Sequence, residues 1–199
     1  MADTYSCFYS TTSMILWGIR AFLYLVILTF SLAIVGMIGR KENNVWNTTL
    51  PWNHTFVDFC AYEASSMKLG ELSVGNHHTC PYVVALSTVS SVFHLTLFGL
   101  TILESWQVFL SKYWPAEFLL NLFFFWWWLI GAVVVTSQRP SSEVLSMLSL
   151  TKFIQGIEGL AWCNFSLCFL ACVATVITGY FSLLKHESSK NMSEKQEPI

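Results

Sequence analysis

Four long apolar runs, at residues 14–38, 82–103, 118–137 and 160–184, leave this chain few ways to fold. Each is near the length of about 20 residues with which a helix crosses the hydrocarbon core of a bilayer. Of the 199 residues, 54% are hydrophobic and only 11% are charged, against roughly 25% charged in soluble domains. A soluble domain of this size has too little interior to hide so much apolar surface, so the class is membrane protein. The expected fold is an all-α membrane protein: a four-helix transmembrane bundle over 14–184, with a short N-terminus at 1–13 and an outer loop at 39–81. The polar, charge-balanced, serine-containing stretch 185–199 reads as a disordered tail. The third run is the shortest and the most hydrophobic, and Gly156 and Gly159 blur the start of the fourth. The first run is read as a retained span, because it exceeds the apolar core of about 7–15 residues in a signal peptide and ends in MIGRKE rather than a small-residue cleavage site.

Four spans put both termini on one side. Lysine and arginine do not choose that side: Arg40, Lys41, Lys68, Arg139 and Lys152 fall in the first and third loops, and Lys112, Lys185, Lys190 and Lys195 in the second loop and tail. The outer loop decides instead. It holds two glycosylation sequons, NTT at Asn47 and NHT at Asn53, and the cysteines Cys60 and Cys80. Sequons and a possible disulfide suit an oxidising compartment, so the loop is expected to be outward or lumenal and both termini cytosolic. Asn53 is the better-placed acceptor, since Asn47 lies close to the end of the first span. The alternative for Cys60 and Cys80 is two free thiols. Cys7, near the membrane on the cytosolic side, is of the kind that takes palmitate.

The third span, EFLLNLFFFWWWLIGAVVVTSQ, carries six consecutive aromatic residues from Phe123 to Trp128. Projected at 100° per residue, Glu117, Asn121, Phe124, Trp128, Gly131 and Val135 fall on one stripe, and Trp126 points nearly opposite. Polar groups at membrane depth are costly and face the bundle interior. The Glu117 stripe is therefore the packed face, with Trp128 a core ring beside Gly131 and Trp126 toward lipid. In the second span Ser87, Ser90, His94 and Thr101 share a face; in the fourth, Asn164, Cys168, Ala171, Thr175 and Gly179 do the same. Small and hydroxylated stripes of this kind form seams between membrane helices. His94 reads as a packing residue with hydrogen bonds, a proton relay being the other reading.

Arg20 lies within the cytosolic half of the first span, while Glu104 ends the second span and Glu117 begins the third at the same leaflet. An arginine at that depth must pair or snorkel. It pairs with Glu117 or with Glu104, Asn121 completing an intramembrane polar cluster, or it reaches the headgroups alone; the sequence leaves these open.

Arg20, the start of the third span at Glu117 and Asn121, and the stretches NLFFFWWWLIGAVVVTSQ and GLAWCNFSLCFLACVATVITGYFSLL together carry a resemblance. The chain resembles the MARVEL-type tetraspan superfamily, which includes the synaptogyrin and synaptophysin group, the myelin-and-lymphocyte proteins and the Casparian-strip-like proteins. The resemblance implies four spans with cytosolic termini and a role in vesicles, membrane microdomains or cell contacts. The chain departs from the Casparian-strip-like group, which would have aspartate in the third span, and its long first loop holds one cysteine pair in place of a family signature. The GLW of claudin-type first loops, the CCG of tetraspanins and the cysteine triplets of connexins are absent.

A non-enzymatic membrane organiser is thus expected, in the plasma membrane or in secretory or endosomal vesicles. An accessory subunit of a channel or receptor, and a small transporter or channel, are the alternatives. No HExxH, GxSxG, P-loop or clustered metal ligands occur, so no catalytic residue, cofactor or metal is assigned; His77-His78 beside Cys80 reads as a solvated pair. The expected partners are membrane lipids and other membrane proteins or further copies of the chain. A formal net charge of −2 makes no case for nucleic acid. The chain ends in Glu197-Pro198-Ile199, whose carboxylate and apolar side chain at Ile199 are what a PDZ groove takes.

Overall fold

Helices are what a bilayer demands of such runs, because a spanning helix satisfies every backbone N–H and C=O within itself. A computed structural model describes residues 2–45, 64–68, 71–74, 79–106, 114–139 and 151–194, with side chains mainly at 14–38, 81–103, 114–139 and 151–184. It contains four long helices: α1 (Ala2–Val45), α2 (Thr79–Trp106), α3 (Trp114–Ser137) and α4 (Thr151–Glu194). All four are long and apolar enough to cross a membrane, over Met14–Ile38, Pro81–Leu103, Trp114–Ser137 and Thr151–Leu184. This is the architecture of a multi-pass membrane protein. Pro81 and Pro115 both stand in the first turn of their helices, where the missing N–H would have had no partner within the helix.

The helices differ in extent from the sequence-based expectation. α4 begins at Thr151 rather than near residue 160, and it continues through 185–194, a stretch read above as disordered. α1 likewise takes in almost all of the short N-terminus. Extending an existing helix fixes one residue per hydrogen bond and escapes the nucleation cost, so a polar flank that would be unstructured alone can continue a span. Gly156 faces α1: a Cβ there would stand 3.0 Å from Met37 Cε, the flexible end of that side chain. Within the α1–α2 connection, strands β1 (Ala64–Lys68) and β2 (Glu71–Val74) form an antiparallel pair, with Met67 opposite Leu72 and Lys68 opposite Glu71.

α1 packs along α2 and α4, and α4 along α3, whereas α2 and α3 meet over a smaller area. α1 and α3 therefore stand diagonally across the bundle. The buried residues of α1 include Arg20, Tyr24, Ile27, Ser31, Ile34 and Ile38, a seam spaced three and four residues apart. On α3 the buried residues are Asn121, Phe124, Trp128, Gly131, Ala132 and Val135. Trp126 is 54% exposed among Leu119, Phe123, Ile130 and Val133, which are also exposed. The outer surface is apolar and the interior partly polar, the arrangement that suits a lipid solvent.

That interior has two unlike halves. Toward the α1–α2 connection, Ile34, Ile38, Val83, Leu86, Val135, Ile154 and Ile157 close the bundle with aliphatic side chains. Toward the α2–α3 connection a smaller apolar group, Leu23, Tyr24, Leu97, Ala171 and Ala174, surrounds charged and polar residues.

Candidate functional site

The polar half is organised by an ion pair across the diagonal. Arg20 of α1 donates from Nε and Nη2 to Glu117 Oε1, at 3.0 and 2.7 Å, and from Nη2 to Oε2 at 2.6 Å. The two side chains are 4% and 15% exposed. A two-pronged, charge-assisted contact of this kind orients both groups as well as neutralising them. A long side chain suits a link between diagonal helices, which is why arginine can make it.

Each ion then recruits the residue one turn further along its own helix. Tyr24, four residues after Arg20, donates its hydroxyl to Glu117 Oε1 at 2.5 Å. Asn121, four residues after Glu117, donates from Nδ2 to Tyr24 Oη at 2.8 Å and to Thr175 Oγ1 of α4 at 3.0 Å. Thr175 in turn donates to the Ala171 carbonyl at 2.9 Å. Three helices are joined through five side chains. Near the same end, the Trp17 indole of α1 donates to the Thr101 carbonyl of α2.

A second cluster lies deeper and takes side chains from all four helices. Trp128 Nε1 of α3 donates to Ser90 Oγ of α2 at 2.9 Å, and Ser31 Oγ of α1 lies 3.3 Å from the same oxygen. Asn164 Nδ2 of α4 reaches Ser31 Oγ at 3.4 Å. His94, fully buried, places Nδ1 2.7 Å from the Ser90 carbonyl and 3.2 Å from Ser90 Oγ. Its ring stands edge-on to Phe124, with centroids 4.9 Å apart, and 6.1 Å from the ring of Tyr24. The three adjacent tryptophans have three different surroundings: Trp126 faces outward, Trp127 donates to the Leu86 carbonyl at 3.2 Å, and Trp128 enters the core.

Of the residues singled out from sequence, the structure brings Arg20, Glu117 and Asn121 together. Glu104 lies in the last turn of α2, and its side chain is outside the described residues. Ser87, Ser90, His94 and Thr101 are buried, as are Asn164, Cys168, Ala171, Thr175 and Gly179. Gly131 and Gly179 are points of close approach. A Cβ on Gly131 would stand 2.6 Å from Leu86 Cδ2, and one on Gly179 would meet the Trp114 ring. Asn47, Asn53, Cys60, His77, His78 and Ile199 lie outside the described residues, as do the side chains of Cys7 and Cys80. Cys163, Cys168 and Cys172 are free thiols. Among the described residues there is no group of three or more His, Cys, Asp or Glu side chains that could hold a metal ion.

Sequence reasoning missed Tyr24, Ser31 and Trp127. The signal for the first two was present: Arg20, Tyr24, Ile27 and Ser31 repeat at helical spacing along α1, and projecting that span as the third was projected places both hydroxyls on the arginine's face. No protein-family model, curated protein or solved structure matches the chain.

Proposed function

We propose that the protein is a non-enzymatic four-span membrane protein of MARVEL type. It organises membrane microdomains, vesicles or cell contacts, with both termini cytosolic and the loop between α1 and α2 lumenal or extracellular. The observation that carries this reading is the two-part interior. A translocation path needs polar groups aligned through the bilayer. Here the polar residues that bond across helices lie from mid-bundle toward the α2–α3 connection, while the end toward the α1–α2 connection is mainly aliphatic, with Thr79 and Ser87 the buried polar side chains of α2 there. Such a bundle is a rigid body with an aromatic outer face for lipid and neighbouring proteins. Its partners are then bilayer lipids and other membrane proteins, including further copies of the chain.

The test is extraction of the tagged full chain into polymer-bounded native nanodiscs, followed by identification of co-purifying lipids and proteins and a flux assay in proteoliposomes. Enrichment of a defined lipid class with several membrane proteins and no flux is the expected result. Selective ion or solute flux would sink the proposal. Recovery of one stoichiometric channel or receptor partner would replace it with the accessory-subunit reading.

A further inference from the structure

The hydrogen-bond directions inside the bundle leave acceptors that no protein group reaches. Carbonyl oxygens only accept, so the 2.7 Å contact between His94 Nδ1 and the Ser90 carbonyl places the ring hydrogen on Nδ1. His94 Nε2 is then a bare lone pair in a fully buried side chain, and no described residue donates to it. Asn121 is fixed in the same way. Tyr24 gives its hydrogen to Glu117 and Thr175 gives its own to Ala171, so both can only accept from the amide. Nδ2 must face them, and Oδ1 is left without a donor. Asn164 Oδ1 and Ser87 Oγ are also buried without partners.

The deeper cluster is the more loosely joined of the two. Ser31–Ser90 and Asn164–Ser31 are 3.3 and 3.4 Å apart, the long end for such contacts. His94 and Asn121 are both neighbours of Tyr24, one through ring proximity and the other through a hydrogen bond. An unmet buried acceptor costs about 1–3 kcal/mol, and native interiors hold few of them. The Arg20–Glu117 pair already balances its own charge, so what the site lacks is a neutral donor.

We propose that this half of the bundle is an internal hydration site. Water held within it donates to His94 Nε2 and Asn121 Oδ1 and joins the Arg20–Glu117–Tyr24–Asn121 cluster to the Ser31–Ser90–Trp128–Asn164 cluster. Water is the smallest molecule with two donors, and bridging otherwise unpaired buried groups is its usual role in protein interiors.

The test uses the full chain in lipid nanodiscs with 15N-labelled histidine. The other four histidines, His54, His77, His78 and His186, are replaced by glutamine so that the remaining signal is His94 without altering the core. The expected spectrum shows the hydrogen on Nδ1, a hydrogen-bonded Nε2, and magnetisation transfer from water to the ring that is unchanged when sodium is exchanged for choline. Loss of that transfer in an Asn121→Leu variant that remains monodisperse would place the water between the two residues. A ring with no transfer from water, or with its hydrogen on Nε2, overturns the proposal. A signal that shifts with the cation present overturns it in favour of a cation site.

Discussion

Removing either partner of the Arg20–Glu117 pair should cost far more than removing both. Arg20→Met leaves the Glu117 carboxylate in a site where it is 15% exposed, with the Tyr24 hydroxyl as its remaining hydrogen-bond donor among the described residues. Glu117→Gln keeps the shape and still accepts from Tyr24, but it takes the facing carboxylate away from a guanidinium that is 4% exposed. Breaking a buried pair from one side costs about 3–5 kcal/mol, so two independent losses would sum to about 6–10. The double variant buries no charge and keeps a side-chain carbonyl facing Tyr24. Its cost should fall to about 1–2 kcal/mol, that of altered hydrogen bonds. The expected coupling is therefore about 4 kcal/mol or more, well outside the roughly 0.5 kcal/mol within which independent sites add. Reversible unfolding of the four proteins in mixed detergent micelles measures it. If the single changes add, or each costs under about 1 kcal/mol, Arg20 reaches the headgroups by itself and the pair does not hold α1 to α3.

Trp128→Phe should destabilise the bundle by about 1–3 kcal/mol, through a void and the lost bond to Ser90, while Trp126→Leu stays within about 0.5 kcal/mol; the same unfolding assay separates them. Gly131→Ala should cost about 1–3 kcal/mol because the new methyl presses on Leu86, and adding Leu86→Val should return part of the loss if that contact is the cause. Arg139→Ala should change stability by less than about 1 kcal/mol, since Arg139 is 38% exposed and 3.4 Å from Glu158, a pair that high salt should weaken further. With the proposed topology, N-glycosidase treatment of the expressed chain should shift its mobility, and Asn53→Gln should abolish most of that shift. An unglycosylated chain whose tail resists protease in sealed vesicles would invert the orientation.

The sequence alone determined the solvent, the number of spans and the buried face of α3. Apolar length sets the first two, because a run of that size has no other place to hide. Helical periodicity sets the third, since residues three and four apart share a face whatever that face meets. Periodicity also placed Ser87, Ser90 and His94 on one side of α2 and Asn164 and Thr175 on one side of α4. It could not say which face met which. Arg20 had two acidic candidates at the same leaflet, and the contact to Glu117 follows from the order of the helices around the bundle: α1 and α3 stand diagonally, within reach of an arginine. Tyr24 as the link between the ion pair and Asn121, and the bond from Trp127 to the Leu86 carbonyl, were likewise decided by packing. A pattern along one helix records how polar each face is, but hydrogen-bond partners are a property of faces brought together, and only the tertiary arrangement supplies those.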